Sequence, residues 1–420
     1  MKRTILILLT LMMAIGVQAQ KKGWSFEWNG MINPHFYVDS REVVGGREDM
    51  MLFYPKPIEL DSIGNDINAH PSFNMLSITA RVGLKINAPN MLGAHVFGYI
   101  EGDFTGSRNT TINSLRLRHA YINMEWANDE LLIGQYWYPM TIHEIMPGTC
   151  PLNMGAPFHP YARYSQVRYT RHLGNWELIG VAAFQLDNMS QGHNGASTEY
   201  IRNSCIPEFN LQFRYRGEHL LVGIAGNLLT IKPRKTVTDN LGMVTTTDKL
   251  LASTSATAFV RYDWNNWSLK AQTLLDDNLY EGCTMGGYWE HYIYNEDNGK
   301  YEYTYNPWNY TTIWADFGRT KGHWRPGIFV GYGYNNDFGL KTNSTSDNVY
   351  GRGFNMEYLY RVQPRVSYCT NFGLNFTAEV EYTHAQYGKE MFEDVNKYYA
   401  HDNCGGVDHL RLMLDILFAF

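Results

Sequence analysis

The sequence predicts an all-β chain, a transmembrane antiparallel up-and-down β-barrel of about 16 strands with short periplasmic turns and long external loops. Three observations predict it. Apolar residues recur at every second position in stretch after stretch. The connections alternate between short and long. The chain closes on an aromatic residue, Phe420, behind an alternating run. Composition agrees. Only 18% of the 420 residues are charged, against roughly 25% in ordinary soluble domains. The balance of 35 basic and 41 acidic residues carries no nucleic-acid footprint.

The first segment gives an address. Lys2 and Arg3 precede an apolar run from Ile5 to Ile15, and Val17-Gln18-Ala19 is a small-residue cleavage pattern. Residues 1–20 therefore read as a secretory signal peptide cut after Ala19 or Gln20, leaving 21–420 as a single barrel. No later apolar run approaches the ~18 residues of a spanning helix. An exported chain with this pattern belongs in the outer membrane, among lipid and lipopolysaccharide.

The strands follow in order. Leu76, Ile78, Ala80, Val82, Leu84 and Ile86 alternate with Ser77, Thr79, Arg81, Gly83, Lys85 and Asn87, over a length suited to crossing a membrane at a tilt. Phe209, Leu211, Phe213 and Tyr215 alternate with Glu208, Asn210, Gln212 and Arg214, and the pattern returns around 256–263, 357–368, 372–381 and 410–420. The predicted strands are 24–38, 74–87, 92–104, 115–126, 130–138, 163–173, 176–187, 207–216, 219–230, 254–264, 267–278, 310–318, 324–334, 356–369, 371–384 and 408–420. Fourteen and eighteen strands are the alternative counts. In 115–126 the phase changes, because Arg116 and Arg118 share parity with Ile122 and Met124. Either a bulge lies near His119 or the upper half of that strand leaves the lipid. Pro364 stands mid-strand on the lipid side by parity.

Short spacers such as 88–91, 127–129, 174–175 and 265–266 read as tight turns. Long polar loops cover 39–72, 139–162, 188–206, 231–253, 279–309, 335–355 and 385–407. Trp126, Trp176, Trp264, Trp267 and Trp324 sit within two residues of short turns, as an aromatic girdle at the membrane edge requires. The terminal Phe420 is the feature that barrel-assembly machinery would read.

Two stretches then carry a resemblance, Leu115-Arg116-Leu117-Arg118-His119-Ala120-Tyr121 and Leu132-Ile133-Gly134-Gln135-Tyr136-Trp137-Tyr138-Pro139. Together with the signal peptide, strand count and terminal Phe, they make the chain resemble the phosphate-selective porins and their DcaP-like relatives. The resemblance implies a passive, trimeric channel whose third external loop folds into the lumen as a constriction. The chain carries neither N-terminal coiled-coil heptads nor dense Arg and Lys clusters in its loops.

By parity the lumen receives Arg81, Lys85, Arg168, Arg214, Arg261, Lys270, Arg361, Arg365 and Arg411, and also Glu101, Asp103, Asp263, Asp316, Glu379 and Glu381. A charge on the lipid face at the midplane would cost ~2–4 kcal/mol, so their parity supports the barrel itself. Two readings stand: a basic ladder that passes anions or carboxylates, or an ordinary lumen of mutually paired ions. Loop 139–162 carries five prolines, which stiffen it, and His143 and Glu144 are its candidate constriction charges. Cys150, Cys205, Cys283 and Cys404 fall in external loops and Cys369 near a periplasmic strand end; no spacing suggests a metal site, and no cofactor is implied.

Other classes fare less well. No Gly-x-Ser-x-Gly or His-Glu-x-x-His motif supports an enzyme. A hydrophobic-solute channel would need an N-terminal hatch, and residues 21–23 leave no room for one. A plugged or non-channel barrel that binds glycans or host surfaces is motivated by loop 279–309, with Tyr288, Trp289, Tyr292, Tyr294, Tyr301, Tyr303, Tyr305 and Trp308.

Overall fold

The computed structural model describes residues 23–150, 154–186, 188–297, 299–340, 348–393 and 396–420; the segment 1–20, read from sequence as a signal peptide, lies outside them. Sixteen antiparallel strands close into a barrel. Strand β1 runs Ser25–Ile32 and resumes at His35–Asp39; β2 runs Ser72–Leu76 and resumes at Arg81–Asn87. Then come β3 (His95–Asp103), β4 (Arg116–Glu125), β5 (Asp129–Trp137), β6 (Arg163–Leu173), β7 (Trp176–Phe184) and β8 (Glu208–Arg216). The second half holds β9 (Leu220–Ile231), β10 (Leu251–Trp264), β11 (Trp267–Asp277), β12 (Lys300–Arg319), β13 (Trp324–Asn335), β14 (Met356–Cys369), β15 (Leu374–Glu393) and β16 (Asn396–Ala419). Each strand pairs with its sequence neighbours, and β16 closes on β1 through Ile32↔Phe418, His35↔Asp415 and Asp39↔Arg411. Closure leaves no free sheet edge, the condition for spanning lipid with strands.

Alternation sorts the two faces as the sequence predicts. In β8, Glu208, Asn210, Gln212 and Arg214 are buried inside, while Phe209, Leu211 and Phe213 are exposed on the outer surface. The girdle forms at the short-turn end, where Trp176 stacks on Phe213 at 4.8 Å and Trp267 on Phe317 at 4.9 Å.

The most regular stretch of sequence is where the alternation fails. Residues 77–80 form a turn that interrupts β2, with the Ala80 amide donating to the Ser77 carbonyl, and Ile78 is buried rather than lipid-facing. It packs in an interior cluster with Tyr37, Met50 and Phe53. Strand β1 breaks at the same level, at Asn33-Pro34. The fully buried His35 fills the gap, with Nδ1 2.5 Å from Asp415 Oδ1 and Nε2 2.5 Å from Thr79 Oγ1, so it ties β1, β2 and β16 together at the closing seam.

The phase change in β4 is a bulge. Glu101 faces His119 but Gly102 faces Leu117, leaving Arg118 as the extra residue. Arg118 and His119 are both buried, and Gln135 donates to the carbonyls of Leu117 and Arg118 at 2.9 and 3.0 Å. Pro364 is exposed on the outer face, as parity predicts, and the β14–β15 ladder skips Gln363 and Pro364, so no partner carbonyl waits for the missing N–H.

Loop 279–309 differs from expectation. Gly286–Asn295 forms a hairpin with the outer part of β12, and Asn348–Arg352 adds a third strand. Tyr288, Trp289 and Trp308 are buried in it, and Tyr292 stacks on Tyr301 at 5.2 Å. Most of those rings pack on each other; Tyr294 remains exposed.

Candidate functional site

The interior of the barrel is built by two loops meeting the charged wall. Loop 139–162 leaves β5 through a neck closed by the Tyr138 amide on the Ala162 carbonyl at 3.0 Å. It then crosses to the far wall. The Glu144 carboxylate accepts from Arg214 Nη1 and Arg216 Nη2 of β8, both at 2.9 Å. Its carbonyl accepts from Arg261 of β10 at 3.2 Å, and the Met146 carbonyl from Lys270 Nζ of β11 at 2.6 Å. The Cys150 amide donates to Glu379 of β15 at 3.0 Å. The Ala156 carbonyl accepts from Arg361 Nη1 of β14 at 2.6 Å, and the Phe158 carbonyl from Thr312 of β12 at 2.9 Å. Gly148 lets the Arg365 guanidinium pass, since a Cβ there would stand 2.5 Å from Nη2.

A second inward segment was not anticipated. Residues 47–55 of the first external loop also turn into the barrel, burying Met50, Met51, Leu52 and Phe53. Arg361 Nη2 donates to the carbonyls of Leu52 and Phe53 at 3.2 and 3.0 Å. Arg411 Nη2 donates to Asp49 O at 2.8 Å. The signal was legible: Met50-Met51-Leu52-Phe53-Tyr54 is an apolar run inside a loop otherwise polar.

All fifteen strand charges named by parity lie on strands whose opposite face carries the exposed apolar side chains. Their partners decide what each does. Arg365 grips Asp316 at 2.7 Å, Arg411 grips Asp39 at 2.6 and 2.9 Å, Arg361 meets Glu381 at 3.1 Å, and Arg261 meets Asp263 at 2.8 Å. Arg214 bonds Glu177 as well as Glu144. Glu101 and Asp103 are held by Arg118 at 2.5 and 3.0 Å, and Asp103 by Arg116 at 2.8 Å. Arg116 and Arg118 were not assigned to the lumen from sequence, because the bulge hides their true face. Lys85 lies over the Phe97 ring at 4.4 Å and Arg168 over Tyr136 at 5.9 Å; among the described residues neither has a carboxylate partner. Cys150, Cys205, Cys283 and Cys369 carry thiols, and Cys404 falls outside the described side chains.

Glu144 is the electrostatic anchor of the loop. Burial pushes its carboxyl up, but His143, Arg214 and Arg216 outweigh burial and hold it down to about 2, below its ordinary 4.5. A carboxyl lowered in the folded state stabilises fully above pH 4.5 and loses that contribution as pH falls through about 2. Conductance should therefore stay flat between pH 7 and 4.5 as far as this anchor is concerned. Glu144→Gln should raise current noise at pH 7; indistinguishable single-channel traces would show that the anchor does not restrain the loop.

The fold and this site can now be set beside known proteins. Residues 57–244 match the family model of the DcaP outer membrane protein. The chain resembles the DcaP outer-membrane porins over that stretch. The outer membrane channel DcaP of Acinetobacter baumannii has 16% identity and a TM-score of 0.63, covering 96% of this chain and 99% of that one. The trimer form of OmpT from Vibrio cholerae has 10% identity and a TM-score of 0.53, covering 95% of this chain and all (100%) of that chain. An anion-selective porin from Comamonas acidovorans has 9% identity and a TM-score of 0.53, covering 94% and 100%. No curated protein matches the chain. The chain thus shares a whole-chain fold with these proteins at identities that fix architecture only.

Proposed function

We propose that this porin is a passive diffusion channel for small polar solutes, exported with residues 1–20 removed, assembled through Phe420 and working as a homotrimer among lipopolysaccharide. The observation that carries the channel reading is loop 139–162, which crosses the lumen and is held by six strands of the opposite wall. A stiff, charged segment inside a polar barrel is what sets the narrowest passage of such a channel. His143 and Glu144 are the charges we assign to that passage.

Ion pairing argues against a free basic ladder. Arg214, Arg261, Arg361, Arg365 and Arg411 are neutralised by carboxylates, and several spend their donors on loop carbonyls. Among the described residues the strand cations left without a carboxylate or loop-carbonyl partner are Arg81, Lys85 and Arg168, which support a weak preference for anions and carboxylates. Reversal potential in a planar bilayer under a potassium chloride gradient tests this. The wild type should lie on the anion side of zero, and Lys85→Glu with Arg168→Glu should move it to the cation side. Cation preference in the wild type would overturn the anion reading and leave the channel reading intact.

A further inference from the structure

A row of aromatic side chains lines one wall of the barrel, and loop 139–162 reaches it at His143. On β3, β4 and β5, facing the interior, stand Phe97, Tyr99, Tyr121 and Tyr136, all half-buried rather than enclosed. They form a connected series. Phe97 meets Tyr121 at 6.3 Å, Tyr99 meets Tyr121 at 5.8 Å, Tyr121 meets Tyr136 at 5.1 Å, and Tyr136 meets His143 of the loop at 5.8 Å. In register, Tyr99 lies opposite Tyr121 and Tyr121 opposite Gly134. From Phe97 to Tyr136 the series climbs four residues, about 13 Å at strand rise, from the short-turn end toward the loop.

Two glycines make room for it. The Tyr99 ring occupies the space a side chain on Gly83 would need, its Cζ 3.0 Å from where that Cβ would sit. Gly134 faces Tyr121 with φ of +134°, and a Cβ there would stand 3.0 Å from that of Tyr121. A wall built with bare backbone beside its tyrosines leaves their outer surfaces to the lumen. The polar neighbours include both donors and acceptors: Lys85 Nζ lies 4.4 Å over the Phe97 ring and the Arg168 guanidinium 5.9 Å over Tyr136. Tyr99 Oη donates to Asn29 Oδ1 at 3.0 Å, and Glu130, on the same interior face of β5, has no ion pair among the described residues.

We propose that this aromatic track binds neutral saccharides as they approach or leave the loop passage. A pyranose offers an apolar C–H face to an aromatic ring and a rim of hydroxyls to flanking acceptors. Carboxylate acceptors and the Lys85 and Arg168 donors beside the rings match a rim of hydroxyls, each of which donates and accepts. The inference goes beyond the diffusion-channel reading, because a general pore needs no binding site on its wall.

The test uses the refolded full chain in a planar bilayer, with maltotriose or cellotriose added from the short-turn side. Concentration-dependent, reversible interruption of the ion current by at least one of them is expected. The double variant Tyr99→Ala/Tyr121→Ala should keep its open-channel conductance and raise the half-blocking concentration at least about tenfold, since two ring contacts are lost. Absence of block by both sugars overturns the proposal. So does block that the double variant leaves unchanged, which would place binding elsewhere, such as the external hairpin rings, and so does block by benzoate alone. Conductance without sugar separately tests the channel reading. In a silent barrel, calorimetric titration of the detergent-solubilised chain with the same sugars decides the site, with the same variant as control.

Discussion

Deleting residues 145–156, joining Glu144 to Pro157, is expected to raise single-channel conductance at least about twofold, because a barrel of sixteen strands encloses an aqueous channel unless something fills it. The segment removed is the part that spans the lumen. Its ends stay anchored, by Arg214 and Arg216 on Glu144 and by Thr312 on the Phe158 carbonyl at 2.9 Å. The wall does not lose its charge balance either. Arg361 forfeits the Ala156 carbonyl but keeps Glu381, Arg365 keeps Asp316, and Glu379 keeps the amide of Gln363 at 3.3 Å. A folded variant is therefore expected, with heat-dependent gel mobility as the check. Unchanged conductance in that folded variant would mean that the narrowest passage lies elsewhere, with residues 47–55 the next segment to remove.

The second large effect concerns stability at the closing seam. Arg411 of β16 and Asp39 of β1 are both almost fully buried, and the guanidinium makes two bonds to the carboxylate, at 2.6 and 2.9 Å. Arg411 also holds the Asp49 carbonyl at 2.8 Å. Arg411→Ala leaves Asp39 with only His409, at 2.9 Å, as a side-chain hydrogen-bond partner among the described residues. Stranding a buried charge typically costs about 3–5 kcal/mol. Urea unfolding of the protein in lipid vesicles should show a loss of that size. Asp39→Asn combined with Arg411→Met should lose markedly less, because no charge is then left without a partner. A loss under about 1 kcal/mol for Arg411→Ala would mark the pair as one that water screens.

Much of this molecule could be read without coordinates, and the reasons are local. Each of the sixteen predicted strands is found, and the turns at 174–175 and 265–266 join the strands expected to flank them. The period of two forces every side chain to one face, and lipid tolerates only apolar ones, so parity alone placed Arg81, Glu101, Arg214 and Arg365 inside. The phase change at Arg116 and Arg118 was visible as a conflict, and the bulge at Arg118 resolves it. Where the reading went astray, the cause was packing from a distance. Ile78 sits in faultless alternation, yet it turns inward because Tyr37, Met50 and Phe53 offer it an apolar site. The rings of 279–309 read as a loop, yet their cross-strand partners make a hairpin of them, Tyr292 opposite Tyr303.

The sequence by itself determined the barrel, its outward face, its inward charges and the end that carries the long loops, because those follow from strand periodicity and from what a bilayer will accept beside it. Only the tertiary structure decided what the inward charges do. Arg361 meets the carbonyls of Ala156, Leu52 and Phe53 and the carboxylate of Glu381, and Lys270 meets the carbonyl of Met146. A main-chain carbonyl carries no mark in the sequence, and these lie more than a hundred positions away. Whether an arginine in the lumen meets a solute or a loop depends on which segments fold inward, and that is settled by closure of the barrel around them.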